Sequence, residues 1–220
     1  MIKLYDYFRS SASYRVRIAL ELKQIPYELI EVHLVNNGGE QYSDRYQSLN
    51  PMQRVPTLVD DGFILSQSLA IITYLDQKYP QYPLLSNNIT TSAQILSIAQ
   101  TIACDIHPLN NLSVLNYLKH NLNCSDDEKS KWYAHWIING FNAIERQLKQ
   151  TKGIYSFANE ITLADLCLIP QVYNAIRFEI NLENYPIINS IYENCNQLTA
   201  FKKASPEYVQ QNQMKAKTTS

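Results

Sequence analysis

Residues 8–20 read FRSSASYRVRIAL, and this stretch decides how the first part of the chain folds. The apolar residues Val16, Ala19 and Leu20 recur at helical spacing, which predicts a helix with one buried face. Ser10 or Ser11 is a favoured residue type for the start of that helix, and Pro26 ends it. The mostly apolar run IKLY, residues 2–5, precedes it, and YELIEVHL, residues 27–34, follows. Both runs predict strands, so the segment indicates a β-α-β unit with parallel strands and a right-handed crossover.

Further along the chain, RVPTLVDDGFILS, residues 54–66, predicts a β-hairpin with a turn at Asp60–Gly62. QSLAIITYLDQKY, residues 67–79, predicts a helix, and residues 40–50 predict at most a weak one. The first 79 residues therefore predict the order β-α-β-(α)-β-β-α. Beyond the prolines at 80 and 83 the spacing is helical, and the tail from Gln210 is polar and predicted to be loose. We expect an α/β domain at 1–80, a linker at 81–87 and an all-helical domain at 88–210.

Composition restricts the class of protein. The chain has 220 residues, of which 45% are hydrophobic and 18% charged, so it can bury a sizeable core. A formal net charge of -1 gives no general attraction to nucleic acid or to an anionic membrane, and no apolar run approaches the ~18 residues that a spanning helix needs. The N-terminus is charged, unlike a signal peptide, and the widely spaced cysteines favour reduced thiols in the cytoplasm. The cysteines are Cys104, Cys124, Cys167 and Cys195.

The serine pair Ser10–Ser11 can do chemistry as well as begin a helix. The first turn of a helix carries unpaired N–H groups and partial positive charge, and a nearby hydroxyl can donate a hydrogen bond to a thiolate. Lowering a thiol pKa from ~8.5 to ~6.5 requires about 2.7 kcal/mol. A hydrogen bond to a charged group supplies about 1.5–3 kcal/mol and the helix start about 0.3–2 kcal/mol. The pair could therefore activate a thiol, and the alternative is that it only caps the helix.

Three other motifs have both functional and structural interpretations. Val55-Pro56 begins a strand, where a cis bond would turn the backbone of Val55 outward to pair with an extended peptide; an ordinary edge-strand proline is the alternative. Ser66-Gln67-Ser68 begins a helix and suits a carboxylate ligand, or it is a plain cap. Thr162-Leu163-Ala164-Asp165 forms a capping box, which we interpret as structural.

Taken together, these motifs resemble the zeta class of glutathione transferases. The similar segments run in register from about residue 2 to residue 206: FRSSASYRVRIAL, NPMQRVPTLVDDG, QSLAIITYLD, CDIHPLNNLSVL, GIYSFANEITLADLCLIPQVYNAIRF and Tyr185-Pro186. The class signature is S-S-C-x-[WH]-R-V-R-I-A-L, and this chain departs from it at Ala12, where the class usually has cysteine. The resemblance implies the glutathione transferase fold, in which a thioredoxin-like N-terminal domain precedes an all-α C-terminal domain. It also implies a cis bond before Pro56 and a homodimer.

The resemblance also implies a set of site residues. Ser10 matches the serine that stabilises the glutathione thiolate, with Ser11 beside it as pocket support. Arg177 falls where the class holds a substrate carboxylate, and Arg9 is a second candidate for that role. For His107 we favour a binding role over a catalytic one. The positions that match glutathione contacts of the class are Ser10, Ser11, Ala12, Ser13, Tyr14, Arg15, Gln41, Val55, Gln67, Ser68, His107, Asn111, Leu112 and Ser113.

The reaction that this resemblance implies is a cis–trans isomerisation with glutathione as cofactor and a small dicarboxylic keto acid as substrate. We expect maleylacetoacetate to be converted to fumarylacetoacetate, a step of tyrosine and phenylalanine breakdown. Isomerisation of maleylpyruvate is an alternative, but its enzymes can carry an extra arginine where this chain has Leu112–Ser113. Transfer of glutathione to small α-halo acids is a further alternative, and a non-enzymatic binding protein on the same fold is the least favoured.

Overall fold

The computed structural model describes residues 1–218, without the side chains of residue 37 and of residues 216–218. Backbone contacts divide it into two compact units. The first consists of residues 1–83 together with the described chain from Gln197 onward, and the second consists of residues 84–196. The domain limits expected from the sequence, 1–80 and 88–210, stay a prediction.

The first unit is built on a four-stranded mixed sheet with the strand order β2-β1-β3-β4. Strand β1 pairs in parallel with β2 and antiparallel with β3, so that Leu4 lies opposite both Leu29 and Leu58. Leu4 and Leu58 are fully buried, as expected for the middle of a sheet that helices cover. The elements are β1 (Ile2–Asp6), α1 (Ser11–Leu22), β2 (Tyr27–Glu31), α2 (Asp44–Gln47), β3 (Thr57–Asp60), β4 (Phe63–Ser66) and α3 (Ser68–Lys78). This order and the predicted fold class are confirmed.

The second unit is helical, with α4 (Ile89–Gln100), α5 (Leu112–His120), α6 (Asp126–Leu148), α7 (Leu163–Arg177) and α8 (Pro186–Cys195). Between α4 and α5 the chain continues as a π-helical segment, Thr101–Ile106, and a 3-10 segment, His107–Asn110. The capping box predicted at the start of α7 is present, because one carboxylate oxygen of Asp165 accepts hydrogen bonds from the backbone N–H and the hydroxyl of Thr162. No helix within residues 1–218 is both long and apolar enough to cross a membrane.

The chain from Gln197 returns to the first unit as α9 (Thr199–Ala204) and α10 (Pro206–Thr218). The prediction of a loose tail from Gln210 was wrong, because α10 continues to Thr218. Val209 of α10 is buried in a small apolar cluster, which explains how a mostly polar segment is held in a helix. The other buried members of this cluster are Tyr7, Phe8, Val32, Tyr46 and Val55.

Candidate active site

Ser10 is the N-cap of α1 and stands at the end of a short turn after β1. The Ser10 N–H donates to the carbonyl of Tyr7 at 2.8 Å, and its backbone is extended, with φ -70° and ψ 118°. Its hydroxyl oxygen accepts the N–H of Ser13 at 3.2 Å, so the expected cap is present. A hydroxyl that accepts in this way keeps its own proton available to donate. Ser10 therefore combines a capping role with a donor at the positive end of a helix.

The five residues after Ser10 differ in how far a ligand can reach them. Ala12 is half-buried, whereas Ser11, Ser13, Tyr14 and Arg15 are all buried. The Tyr14 hydroxyl is directed to the carbonyl of Phe201 at 3.5 Å, inside the same unit. The small Ala12 side chain thus lies in the first turn of α1, at a position that is partly open to solvent.

A second helix start lies at α3, where Gln67 is the N-cap residue with φ 74° and ψ 115°. A positive φ is uncommon for a residue with a side chain and costs about 1–3 kcal/mol, so such a position is held by its surroundings. Gln67 makes no side-chain cap bond and is exposed. Ser68 is buried, and its hydroxyl oxygen accepts a hydrogen bond from Nη1 of Arg15 at 3.3 Å. The exposed amide of Gln67 and the proton of Ser68 are both suited to a carboxylate.

The Val55–Pro56 peptide bond is cis, as the resemblance implied. The loop before it is fixed from two sides, because the Tyr46 hydroxyl and the Asn50 side-chain amide both donate to the carbonyl of Arg54 at 2.7 Å. Val55 itself is buried in the apolar cluster that contains Val209. Its backbone therefore has a well-defined position next to the first strand of the hairpin.

Gln41 is the predicted contact whose surroundings point most directly to a ligand. Its side chain is 4% exposed, and its Nε2 donates to the carbonyl of Leu34 at 3.3 Å. Its Oε1 is buried and accepts no hydrogen bond from any described residue. An unpaired buried carbonyl is costly, and an N–H donor on a ligand would satisfy it. Gly39, with φ 108°, allows this arrangement, because a Cβ there would lie 2.5 Å from the Gln41 amide.

The remaining predicted contacts lie in the second unit, around the start of α5. Asn111 is the N-cap of α5, and its Oδ1 accepts hydrogen bonds from both the N–H and the hydroxyl of Ser113 at 3.0 Å. Leu112 and Ser113 are exposed. His107 is half-buried and begins the 3-10 segment that leads to this helix. The segment is thus a surface turn with its polar side chains already oriented.

The two arginines assigned to the substrate, Arg9 and Arg177, are exposed and have no ion-pair partner among residues with described side chains. Arg177 ends α7, where its guanidinium lies 4.9 Å from the ring centroid of Phe178. The Phe178 ring stacks on Tyr133 at 3.7 Å, which gives the arginine a rigid support. Arg9 stands in the turn before α1, 5.1 Å from the ring centroid of Phe8. Both can therefore bind a carboxylate without first breaking an existing ion pair.

One buried cation was not singled out from the sequence. Arg17 of α1 is fully buried and contacts the turn that carries Ser10. The only sign in the sequence is a charged residue among the apolar positions that face the sheet, and periodicity alone does not reveal what such a residue binds.

The chain resembles known proteins over most of its length. Residues 4–83 match the family model for the glutathione S-transferase N-terminal domain. The chain is 47% identical over 204 residues to a probable maleylacetoacetate isomerase of Vibrio cholerae. This match covers 93% of the present chain and 95% of that protein.

Solved structures show the same similarity. A bacterial maleylpyruvate isomerase, described as a glutathione S-transferase of the zeta class, has a TM-score of 0.90 and 40% identity, over 94% of this chain and 97% of the other. A maleylacetoacetate isomerase of Methylobacterium extorquens, with bound malonate and glutathione, has a TM-score of 0.90 and 34% identity, over 94% of this chain and 97% of the other. The chain described here belongs to the zeta class of glutathione transferases.

Proposed function

We propose that this protein is a glutathione-dependent isomerase that converts maleylacetoacetate to fumarylacetoacetate. When bound, glutathione supplies a thiolate that adds reversibly to a conjugated double bond, so that rotation about the bond becomes possible. The chain must then provide three things: stabilisation of the thiolate, a site for the rest of glutathione, and anchors for the substrate carboxylates. Residues suited to each task are present.

Ser10 is assigned the first task, and its geometry is the observation on which the proposal chiefly rests. Its hydroxyl accepts the N–H of Ser13 and retains a proton, which can be donated to a thiolate at the start of α1. One such bond contributes about 1.5–3 kcal/mol and the helix start a further 0.3–2 kcal/mol, roughly. These contributions are enough to ionise the thiol near neutral pH without the cysteine that Ala12 replaces. Ser11 is buried and supports the turn.

The second task falls to residues that surround Ser10 and α3 in the first unit. Gln41 offers its unpaired carbonyl oxygen to an N–H of glutathione, and Val55 offers its backbone to the extended peptide. Gln67 and Ser68 take a carboxylate at the start of α3. Ala12 lines the turn, and the buried residues Ser13, Tyr14 and Arg15 act by holding these groups in place. In the second unit we assign binding roles to His107, Asn111, Leu112 and Ser113.

Arg177 and Arg9 are assigned to the substrate. A guanidinium binds a carboxylate through two parallel hydrogen bonds, which fixes both the position and the orientation of an acid. The aromatic support under each arginine limits its motion and lowers the entropy lost on binding.

Maleylpyruvate is the second candidate substrate, since the chain is 40% identical to the solved maleylpyruvate isomerase. Leu112 and Ser113 provide no cation at the start of α5, which favours maleylacetoacetate. The test is to compare kcat/KM for the two keto acids, with and without glutathione. We expect maleylacetoacetate to be preferred and both reactions to require glutathione. A higher kcat/KM for maleylpyruvate would make it the substrate, and activity without glutathione would contradict the proposal.

The same proposal includes a cytoplasmic homodimer that acts in tyrosine and phenylalanine breakdown. Its basis is membership of the zeta class, together with the four free cysteines of the described chain. Sedimentation at micromolar concentration should give twice the mass of the chain, and a monomeric mass would contradict this part of the proposal.

A further inference from the structure

Arg17 lies in the second turn of α1 with its side chain fully buried. Its guanidinium donates to three acceptors that belong to separate parts of the first unit. Nη1 pairs with a carboxylate oxygen of Asp6 at the end of β1, Nη2 donates to the carbonyl of Phe8 at 3.0 Å, and Nε donates to the carbonyl of Ala204 at 2.9 Å. A buried cation with so complete a set of acceptors fixes all three of them in position.

One of these acceptors lies just before the turn that presents Ser10, and another lies within it. Asp6 is the last residue of β1, and Phe8 precedes Ser10 by two residues. A hydrogen bond from the Ser10 N–H to the carbonyl of Tyr7, at 2.8 Å, closes the turn itself. Without the guanidinium, the buried Phe8 carbonyl would lose its donor, and leaving such a group unpaired is costly. The turn would shift to find another donor, and the Ser10 hydroxyl would shift with it.

The third acceptor links this turn to the C-terminal segment. Ala204 is the last residue of α9, and the Tyr14 hydroxyl is directed to Phe201 of the same helix. Phe8 also packs in the cluster that contains Val209 of α10. The position of the turn is therefore set jointly by α1 and by the chain beyond Gln197.

We propose that Arg17 is a positioning residue for the isomerase reaction, which sets the place of the Ser10 hydroxyl by holding the Phe8 carbonyl. This inference rests on the proposed function, because it requires Ser10 to act on the thiol of glutathione. A displacement of about 1 Å in a group of this kind can cost ~10²-fold in rate. Because the Arg17 side chain is fully buried, it acts through the turn and not by contact with the substrate or the thiol.

Lys23 provides a matched control at the opposite end of α1. It is also buried, pairs with Asp76, and donates to the carbonyls of Tyr79, Gln81 and Tyr82 at 2.8–3.1 Å. Its loss should destabilise the same unit without touching the turn at Ser10. It therefore separates loss of stability from loss of positioning.

The experiment compares Arg17→Lys and Lys23→Gln with the wild-type protein. Glutathione is added to saturation, and the ultraviolet absorbance of its thiolate is followed against pH, together with kcat and thermal unfolding. Both variants should melt earlier. In Arg17→Lys we expect the pKa of the bound thiol to rise by about one unit, so that about tenfold less thiolate forms at low pH, and kcat to fall at least ~10-fold. In Lys23→Gln the pKa of the bound thiol should not change, and kcat should stay within about twofold of the wild type.

A folded Arg17→Lys protein with the wild-type thiol pKa and kcat would overturn the positioning role. Asp6→Asn tests the same role if Arg17→Lys does not fold. It keeps an acceptor for Nη1 and leaves the Phe8 bond intact, so the bound thiol should keep its pKa although the protein melts earlier. A raised thiol pKa in Asp6→Asn would contradict the assignment to the Phe8 carbonyl. If the wild-type protein itself gave no thiolate signal, the proposed function would fail, and the role of Arg17 with it.

Discussion

Arg15 and Ser68, which are 53 residues apart in the chain, connect α1 to the start of α3. Nη1 of Arg15 donates to the hydroxyl oxygen of Ser68 at 3.3 Å, and both residues are buried. The start of α1 carries Ser10, and the start of α3 carries Gln67. This hydrogen bond therefore ties the helix that carries the proposed thiol-stabilising group to the proposed carboxylate site.

The first prediction concerns that pair. Arg15→Met and Ser68→Ala should each weaken glutathione binding by about 1–2 kcal/mol, or ~5- to 30-fold, because each breaks a buried hydrogen bond at the ligand's carboxylate site. The double variant should lose less than the sum of the two, and calorimetric titration of all three variants measures the coupling. Additive losses would mean that the two residues act independently.

The second prediction separates the two roles of Ser10. Ser10→Gly removes the hydroxyl but costs only a few tenths of a kcal/mol at a helix N-cap, roughly, whereas Ser10→Ala loses both the donor and the cap. Both variants should lose kcat by at least ~10²-fold, but only Ser10→Ala should lose about 0.5–2 kcal/mol of unfolding free energy. Steady-state kinetics and denaturant unfolding measure the two effects. Because glycine has no side-chain donor, an active Ser10→Gly protein would assign Ser10 to capping alone.

The third prediction uses the positive φ of Gln67. Gln67→Gly should relieve backbone strain and leave the unfolding free energy unchanged or raised by about 1 kcal/mol, while glutathione affinity falls. Gln24, with φ 53°, is an exposed control in the same unit but outside the predicted site. Gln24→Gly should have a similar effect on stability and leave affinity unchanged. If Gln67→Gly kept full affinity, the strained residue would have no part in binding.

The fourth prediction concerns Arg177. Because Arg177 is exposed, Arg177→Gln should change the unfolding free energy by no more than about 0.5 kcal/mol. The KM for the keto acid should rise at least ~10-fold, since a charge-assisted hydrogen bond contributes about 1.5–3 kcal/mol, while glutathione affinity stays the same. Arg146, an exposed arginine in the last turn of α6, supplies the control. An equal rise in KM for Arg146→Gln would show a general charge effect.

Local pattern was enough to predict the elements of the first unit and the cap at Ser10. Apolar spacing, Pro26 and the Asp60–Gly62 turn are short-range signals, and each has a direct physical reason. The same holds for Thr162 and Asp165, whose capping box is encoded within four residues.

Long-range contacts were not predictable in this way. The return of the chain from Gln197 to the first unit depends on the contacts of Arg17 and Val209, which local periodicity does not encode. The positive φ of Gln67 has no signature in sequence, because glutamine normally avoids it. The unpaired oxygen of Gln41 appears only when the fold buries it. The resemblance predicts Gln41 and Gln67 as site residues, whereas their conformation and burial are visible only in the structure.

The most direct test of the central claim is to follow the keto acid and free thiol together in one reaction. With maleylacetoacetate in large excess over glutathione, the account predicts that all the keto acid is converted to the trans isomer while the concentration of free thiol returns to its starting value. Each glutathione then serves many turnovers, as a cofactor must. Consumption of one thiol for each molecule of keto acid, or no conversion at all, would contradict the assignment of this protein as a glutathione-dependent isomerase.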